Sequence, residues 1–183
     1  MNKNHIIFGV LVSVCAAHSA WAESRPALRH RSAALQCADR KIELKADCYK
    51  ETGYPGLSCT SQRLTISDSG SGRELGGQSF TPAALQAGDA YPIVAEKVDQ
   101  VVCTETPARQ KVIVVKISNG GNCARCEWSD VYAWDGSLLG SSRDAGKGTV
   151  VGDALKTAFD RKSRKLGQGD LSDAYLESAL NGR

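Results

Sequence analysis

Histidine is scarce in this chain, with three in 183 residues. Two of them, His5 and His18, lie in an apolar N-terminal segment, which leaves His30 for the rest of the protein. A Ser-His-Asp or Cys-His catalytic set needs an imidazole, and the chain also lacks the G-x-S-x-G motif that carries the nucleophile of α/β-hydrolases. The sequence therefore argues against a hydrolase and favours a binding protein over an enzyme.

Metal and phosphate motifs are missing as well. A four-cysteine zinc site usually contains two C-x-x-C pairs, and this chain has one, at Cys123 and Cys126. The glycine-rich stretch 140–148 departs from a phosphate-binding loop in its glycine spacing, and Gly148 stands where Ser or Thr would bind magnesium. We therefore expect neither a metal nor a cofactor.

An excess of one charge and long apolar runs are also lacking. Lys and Arg number 23 against 20 Asp and Glu, a net charge of +3, which is not the strongly basic surface of a nucleic-acid-binding protein. Beyond the N-terminus, no apolar run approaches the length of a transmembrane helix. These absences leave another protein as the expected partner, with no nucleic acid.

Residues 1–22 have the pattern of a secretory signal peptide. Lys3 supplies the positive region, residues 6–17 supply the apolar region, and an A-x-A cleavage site ends at Ala22. We expect cleavage after Ala22 and a mature protein that is periplasmic or secreted.

Six cysteines follow that segment, since Cys15 lies within it. An even number in an oxidising compartment predicts disulfides. Cys48 and Cys59 are placed symmetrically about a turn at 51–56, so a hairpin there would bring them opposite each other and within disulfide range. The remaining pairs are most simply Cys37–Cys103 and Cys123–Cys126.

The densest β-branched run of the chain lies at 111–117, KVIVVKI. Such a run is typical of a strand buried on both faces. The SNGG sequence at 118–121 allows the chain to reverse, and a second strand follows at 127–134 before the hairpin signal Asp135-Gly136. We predict that the rest of the domain is built around this hairpin.

Trp128, Tyr132 and Trp134 share one face of that second strand, because side chains alternate along a strand. Aromatic residues with this period usually face a core. If the face is exposed instead, it is the best candidate surface for a protein or glycan contact.

A glycine-serine loop, DSGSGRELGG, occupies residues 68–77 after a predicted strand. Its five residues SGSGR, which include Ser69, Ser71 and Arg73, resemble the loop that bacterial C-type lysozyme inhibitors insert into a lysozyme cleft. The likeness covers no other part of the chain. The resemblance implies an inhibitory loop, and a plain turn is the alternative.

The pattern as a whole predicts a mainly β fold, an antiparallel sheet or small sandwich, that is stabilised by disulfides and followed by a C-terminal pair of short helices. The first helix is expected at 153–166 and the second at 171–180. The predicted organisation is a signal peptide at 1–22, a flexible N-terminal arm at 23–32, a β-rich disulfide domain at 33–142, and a helical appendage at 153–181 packed on the same domain.

The leading functional hypothesis is a periplasmic binding module that acts by protein–protein contact, such as an inhibitor or immunity protein against an envelope-directed enzyme. One alternative is a thiol–disulfide redox protein that uses the Cys123-x-x-Cys126 pair. Another is an envelope accessory protein whose basic helix contacts anionic lipid. The candidate binding residues of the leading hypothesis are Ser69, Ser71, Arg73, Trp128, Tyr132 and Trp134.

Overall fold

A computed structural model describes residues 25–53, 56–144 and 148–172. The predicted signal peptide at 1–22 lies outside the described residues. Within the described ranges, no helix is long and apolar enough to cross a membrane.

The described part of the chain is mainly β structure, with nine strands and one helix. In chain order they are β1 (Arg29–Cys37), β2 (Arg40–Lys50), β3 (Leu57–Asp68), β4 (Glu74–Phe80), β5 (Lys97–Glu105), β6 (Lys111–Ser118), β7 (Glu127–Ala133), β8 (Leu138–Ser141), α1 (Thr149–Phe159) and β9 (Lys165–Asp170).

The strands form two antiparallel sheets. The four-stranded sheet has the order β1-β2-β3-β4, and the five-stranded sheet has the order β8-β7-β6-β5-β9. The valine-rich strand β6 is therefore central in its sheet, and the predicted hairpin of β6 with β7 is confirmed, with Ile113 opposite Tyr132 and Ile117 opposite Trp128. The mainly β, disulfide-containing fold expected from the sequence is present.

The two sheets pack face to face around one apolar core. Alternate residues of β2, β3, β5, β6 and β7 point between the sheets, as the strand period requires. Each large apolar side chain buried in this way contributes about 1.5–3 kcal/mol. The core includes Ile42, Leu44, Leu64, Ile66, Val101, Ile113, Ile117 and Trp128.

Helix α1 covers the other face of the five-stranded sheet. Val151, Ala154 and Ala158 lie on one side of the helix, at helical spacing, and pack against outward-facing valines of β5, β6 and β7. The molecule thus has three layers, and β6 is covered on both of its faces. This double burial explains why β6 is a continuous apolar run instead of an alternating one.

The predicted pair of C-terminal helices is wrong within the described residues. The first helix begins at Thr149 instead of Asp153 and ends at Phe159 instead of residue 166. It ends there because the carboxylate of Asp160 accepts a hydrogen bond from the Lys162 N–H at 2.9 Å, which makes a turn. Residues 165–170 then form β9 beside β5, and 171–172 are not helical. The rest of the expected second helix lies outside the described residues.

The predicted N-terminal arm at 23–32 is in part a strand. Strand β1 begins at Arg29, with Arg29 opposite Cys48 and Ser32 opposite Lys45 of β2. The ring nitrogen Nδ1 of His30 lies 3.1 Å from Asp47. Because β1 is an edge strand whose first residues are largely exposed, no apolar alternation marks its beginning in the sequence.

Three disulfides cross-link the described part of the chain, and they are the pairs that the sequence favours. Cys37–Cys103 joins β1 to β5 and therefore ties the two sheets together. Cys48–Cys59 joins the neighbouring strands β2 and β3. Cys123–Cys126 lies in the loop that leads into β7.

Candidate functional site

Charged and aromatic side chains that could contact a partner gather at the two ends of the sandwich. Strand β7 runs from one end to the other. We name one the Trp134 end: it consists of the β1–β2 turn, the loop 68–73 and the β7–β8 turn. We name the other the Trp128 end: it consists of the loop 119–126 together with Glu96 and Arg143.

Two of the three aromatic candidates on β7 are buried. Trp128 is 6% exposed and Tyr132 is 3% exposed, and both belong to the core between the sheets. The Tyr132 hydroxyl donates a hydrogen bond to Gln78 Oε1 at 2.9 Å, and burial, with the charge of Asp130, raises the pKa of Tyr132 to about 12. Of the three, Trp134 is the one that is partly exposed and can meet a partner.

Asp68 gives the loop 68–73 a defined shape. Its Oδ1 accepts hydrogen bonds from the backbone N–H and from the hydroxyl of Ser71, both at 2.8 Å. The Gly72 N–H donates to the Asp68 carbonyl oxygen at 2.8 Å, and the Asp68 N–H donates to the Arg73 carbonyl oxygen at 2.9 Å. The Ser71 N–H and hydroxyl also lower the pKa of Asp68. Ser69, Ser71 and Arg73 are all exposed on this ordered turn.

Two neighbouring residues connect the loop 68–73 to Trp134. They are Asp39, in the turn between β1 and β2, and Arg40, the first residue of β2. Arg40 Nε donates to the Trp134 carbonyl oxygen at 2.8 Å, and Arg40 also pairs with Asp68 Oδ2 at 3.0 Å. Asp39 accepts the indole N–H of Trp134 at 3.0 Å, and its carbonyl oxygen accepts the Ser69 N–H at 3.0 Å. The structure therefore brings two separate candidates of the sequence, the loop and Trp134, onto one surface.

Cations flank the Trp134 ring. Arg40 Cζ lies 5.5 Å from the ring centroid and Lys111 Nζ lies 5.3 Å from it, which is within cation–π range. The hydrogen bond from the Trp134 indole, helped by the charges of Arg40 and Lys111, lowers the pKa of Asp39. The Trp134 end thus presents an aromatic ring among charged side chains of both signs.

The turn that carries Asp39 is strained at Ala38. This residue has a φ of 51° in a two-residue turn between Cys37 and Arg40. The left-handed region costs a residue with a Cβ about 1 kcal/mol or more, and a two-residue hairpin turn requires a positive φ. The strain therefore belongs to the turn that places Asp39 and Arg40 beside Trp134.

Asp39, Arg40 and Lys111 also belong to this surface, although no sequence motif marks them as functional residues. Ala38-Asp39 contains neither the glycine nor the asparagine that usually marks a two-residue turn. The nearest available signal was the short polar interruption between two strand-like segments at 38–41. Even if the turn had been recognised, the contact of Arg40 with Trp134 depends on how the two sheets pack.

At the Trp128 end, one arginine contacts three groups. Arg143 Cζ lies 3.2 Å from the centroid of the Trp128 ring, and Arg143 Nη1 lies 3.3 Å from Glu96 Oε1. Arg143 Nη2 donates to the carbonyl oxygen of Arg125 at 3.0 Å. Because Arg125 lies between Cys123 and Cys126, Arg143 connects the disulfide loop to Trp128.

A buried carboxyl group lies beside this arginine. Asp130 of β7 is 7% exposed. Burial raises its pKa, with further increases from the charges of Asp144 and Glu96, while a hydrogen bond from Ser141 and the charge of Arg143 oppose the shift. The pKa of Asp130 is therefore shifted upward, whereas the pKa values of Asp39 and Asp68 at the Trp134 end are shifted downward.

The Cys123–Cys126 pair differs from the site of a thioredoxin-type oxidoreductase. In those enzymes the leading cysteine lies at a helix N-terminus, whose dipole lowers its pKa. Here the pair occupies a turn, with the Cys126 N–H donating to the Cys123 carbonyl oxygen at 3.0 Å, and a strand follows. Elsewhere in the described residues, no group of three or more His, Cys, Asp and Glu is placed to hold a metal.

The basic residues of the predicted 153–166 helix do not share one helix. Lys156 belongs to α1, whereas the other cations follow the end of that helix or lie in β9. Lys165 Nζ donates to the carbonyl oxygen of Asp160 at 2.9 Å and so interacts with the helix C-terminus. The basic amphipathic helix expected for lipid contact is therefore not formed as predicted. The cations beyond α1 are Arg161, Lys162, Arg164 and Lys165.

Comparison of the chain with models of known protein families, with curated proteins and with solved structures found no match.

Proposed function

We propose that the Trp134 end binds another protein, and that the chain is a periplasmic binding module such as an inhibitor or immunity protein against an envelope-directed enzyme. The observation that carries this proposal is the connection of the loop 68–73 to Trp134 through Asp39 and Arg40. A partly exposed tryptophan beside arginine on an ordered surface has the composition of a binding hot spot.

The order of this surface in the free protein favours tight binding. Association costs free energy when side chains and loops must be ordered at the interface. Here Asp68 and Arg40 already hold the loop, and the Cys37–Cys103 disulfide lies directly before the turn that carries Asp39. The three disulfides are also consistent with an oxidising compartment such as the periplasm.

The chemistry of the surface suggests the class of enzyme. Within the described residues, no hydrogen bond or ion pair holds the exposed guanidinium of Arg73, and a guanidinium pairs best with a carboxylate. The clefts of lysozyme-type hydrolases contain paired carboxylates. The SGSGR resemblance points to the same class, so a lysozyme-type cell-wall hydrolase is the first partner to test.

The test is inhibition of, and binding to, a panel of purified lysozymes by the wild type and two matched variants. Arg73→Ala removes an exposed cation from the Trp134 end, and Arg125→Ala removes an exposed cation from the Trp128 end. We expect the wild type and R125A to inhibit the same lysozyme equally. R73A should raise the Kd at least about tenfold, which corresponds to the loss of one charged hydrogen bond.

A third variant tests the aromatic part of the surface. Trp134→Ala should also weaken binding, provided that far-ultraviolet circular dichroism shows an intact fold. The proposal is wrong if none of the lysozymes or other cell-wall hydrolases binds. It is also wrong if R125A loses as much affinity as R73A, because the contact would then not be specific to the Trp134 end.

A further inference from the structure

The three disulfides differ in the solvent exposure of their cysteine residues. The cysteines of Cys37–Cys103 and Cys48–Cys59 are each at most 1% exposed. In the third disulfide, Cys126 is 6% exposed, whereas Cys123 is an exposed residue. A thiolate must approach a sulfur atom to cleave a disulfide, and Cys123 is the most exposed of the six cysteines.

We propose that Cys123–Cys126 is a site of thiol–disulfide exchange with a dithiol reductant, and that its cleavage releases Arg143 from Trp128. The first part follows from the exposure of Cys123. The second part follows from the position of Arg125 between the two cysteines and from its hydrogen bond to Arg143. This proposal does not depend on the Trp134 end or on its partner.

The surroundings of the disulfide distinguish its two sulfur atoms. The backbone of Gly121 packs directly against Cys126, since a Cβ added at Gly121 would lie 2.5 Å from Cys126 Sγ. The Asn119 N–H donates to the Cys126 carbonyl oxygen at 3.0 Å, which fixes that cysteine at the start of β7. Cys123 is therefore the sulfur that is attacked, and Cys126 is the sulfur that leaves.

The exchange proceeds in two balanced steps. A thiolate of the dithiol forms a bond to Cys123 Sγ, the Cys123–Cys126 bond breaks, and the Cys126 sulfur leaves as a thiolate that takes a proton from water. The second thiol of the reductant, as its thiolate, then attacks the reductant's own sulfur in the mixed disulfide, and Cys123 leaves and is protonated. The reductant becomes a disulfide, and two electrons have passed to the protein.

The consequence for the Trp128 end follows from the contacts of Arg143. With the bridge intact, the Arg125 carbonyl oxygen is held where Arg143 reaches it, and the guanidinium lies over the indole of Trp128 with Glu96 beside it. Cleavage gives residues 123–126 more conformational freedom, so that this hydrogen bond is lost more often. We then expect Arg143 to leave the ring and Trp128 to become more accessible.

Stepwise reduction with dithiothreitol tests the exchange site. The purified, folded protein is treated with increasing dithiothreitol, free thiols are alkylated, and the modified cysteines are located by mass spectrometry while circular dichroism monitors the fold. We expect Cys123 and Cys126 to be modified at least about tenfold faster than the other four, because the buried disulfides require opening of the core. Equal rates for all six, or protection of all six until unfolding, would overturn the proposal.

Tryptophan fluorescence tests the link to Arg143. Trp134→Phe leaves Trp128 as the reporter in the described residues, and reduction should then change its emission and increase its quenching by acrylamide. Arg143→Met in the same background should remove this response, and Cys123→Ala/Cys126→Ala should reproduce the reduced state without reductant. A response that is the same with and without Arg143 would show that the disulfide does not control the arginine.

Discussion

Each end of the sandwich places an arginine near a tryptophan, Arg40 near Trp134 and Arg143 near Trp128. The two ends shift the pKa values of their aspartates in opposite directions. At the Trp134 end, hydrogen bonds from Trp134 and Ser71 lower the pKa values of Asp39 and Asp68. At the Trp128 end, burial raises the pKa of Asp130. Similar residues therefore make an exposed, ionised surface at one end and a partly buried cluster at the other.

The ends also differ in what fixes their loops. The loop 68–73 is shaped by hydrogen bonds to a carboxylate, and the nearest disulfide ties the sheets together beneath it. The loop 119–126 contains its own disulfide, which spans four residues. The loop of the Trp134 end is therefore ordered without a cross-link of its own, whereas the loop of the Trp128 end contains one.

The largest expected effect is a difference in unfolding free energy between variants that lack one or the other of the two disulfides nearest these ends. Replacing Cys37 and Cys103 with alanine removes a bridge with a sequence separation of 66, and loop-closure entropy predicts a loss of about 4 kcal/mol in unfolding free energy. The same replacement of Cys123 and Cys126 should cost about 2 kcal/mol or less, because the closed loop is short. Urea unfolding of both variants checks this order, and equal losses would contradict it.

A smaller difference is expected between the two arginines that contact tryptophan. The Arg40 side chain is 14% exposed and bonds to the Trp134 carbonyl and to Asp68, so Arg40→Met should lower the unfolding free energy by about 2 kcal/mol. Arg143→Met should cost less than about 1 kcal/mol, since that side chain is 37% exposed. Thermal or urea unfolding of the two variants side by side measures the difference. A larger loss for R143M would contradict the view that the Trp134 end is the more firmly held.

Removing backbone strain at the Trp134 end and introducing it at the Trp128 end should change the unfolding free energy in opposite directions. Ala38→Gly should raise the unfolding free energy by about 0.5–1 kcal/mol, because glycine relieves the positive φ and offsets its own entropy cost in the unfolded chain. Gly120 has a φ of 72° and an added Cβ would meet nothing within 4 Å, so Gly120→Ala should lower the unfolding free energy by about 1 kcal/mol through backbone strain alone. Chemical unfolding resolves both changes, and a destabilised A38G would show that the alanine is not strained.

The smallest expected effect concerns pH. Because the pKa of Asp130 is raised on folding, the folded state binds the extra proton, and stability falls as pH rises from the ordinary Asp value through the raised one. The pKa of Asp68 is lowered, so its contribution is present above the ordinary value and is lost as pH falls through the folded value.

Two asparagine variants separate these opposite contributions. Asp130→Asn should stabilise the protein at neutral pH and remove the fall in stability between the ordinary Asp pKa and the raised pKa of Asp130. Asp68→Asn should lower stability at neutral pH and have little effect in acid. Urea unfolding across acidic and neutral pH measures both profiles, and the same profile shape for the two variants would contradict the assignment.

Local sequence signals predicted the parts of the fold that local physics decides. The β-branched run of β6 and the SNGG reversal favour the hairpin of β6 with β7, and Asp135-Gly136 favours the turn from β7 into β8; both are present. Cys48 and Cys59 were paired from their symmetrical placement about a turn, and they are bonded. In each case the residues that specify the structure are close together in the sequence.

Other features depend on contacts that the sequence does not display. Strand β9 has two glycines and no apolar alternation, and it pairs with β5. Gly167 also lets its backbone approach β1 closely, because a Cβ there would overlap the Gln36 carbonyl oxygen. The candidate surface has the same origin, since Arg40 and Trp134 meet only when the sheets pack. Side chains such as Asp39 acquire their role from that meeting.

The central claim is that the Trp134 end is a pre-ordered binding surface. The most direct test is amide hydrogen exchange, measured on the protein alone and on its complex with a cell-wall hydrolase. The account predicts measurable protection at 68–73 in the free protein, and slower exchange at 68–73 and 134–137 in the complex, with no change at 119–126. Slower exchange at 119–126 with none at 68–73 would contradict it and would place the partner on the Trp128 end.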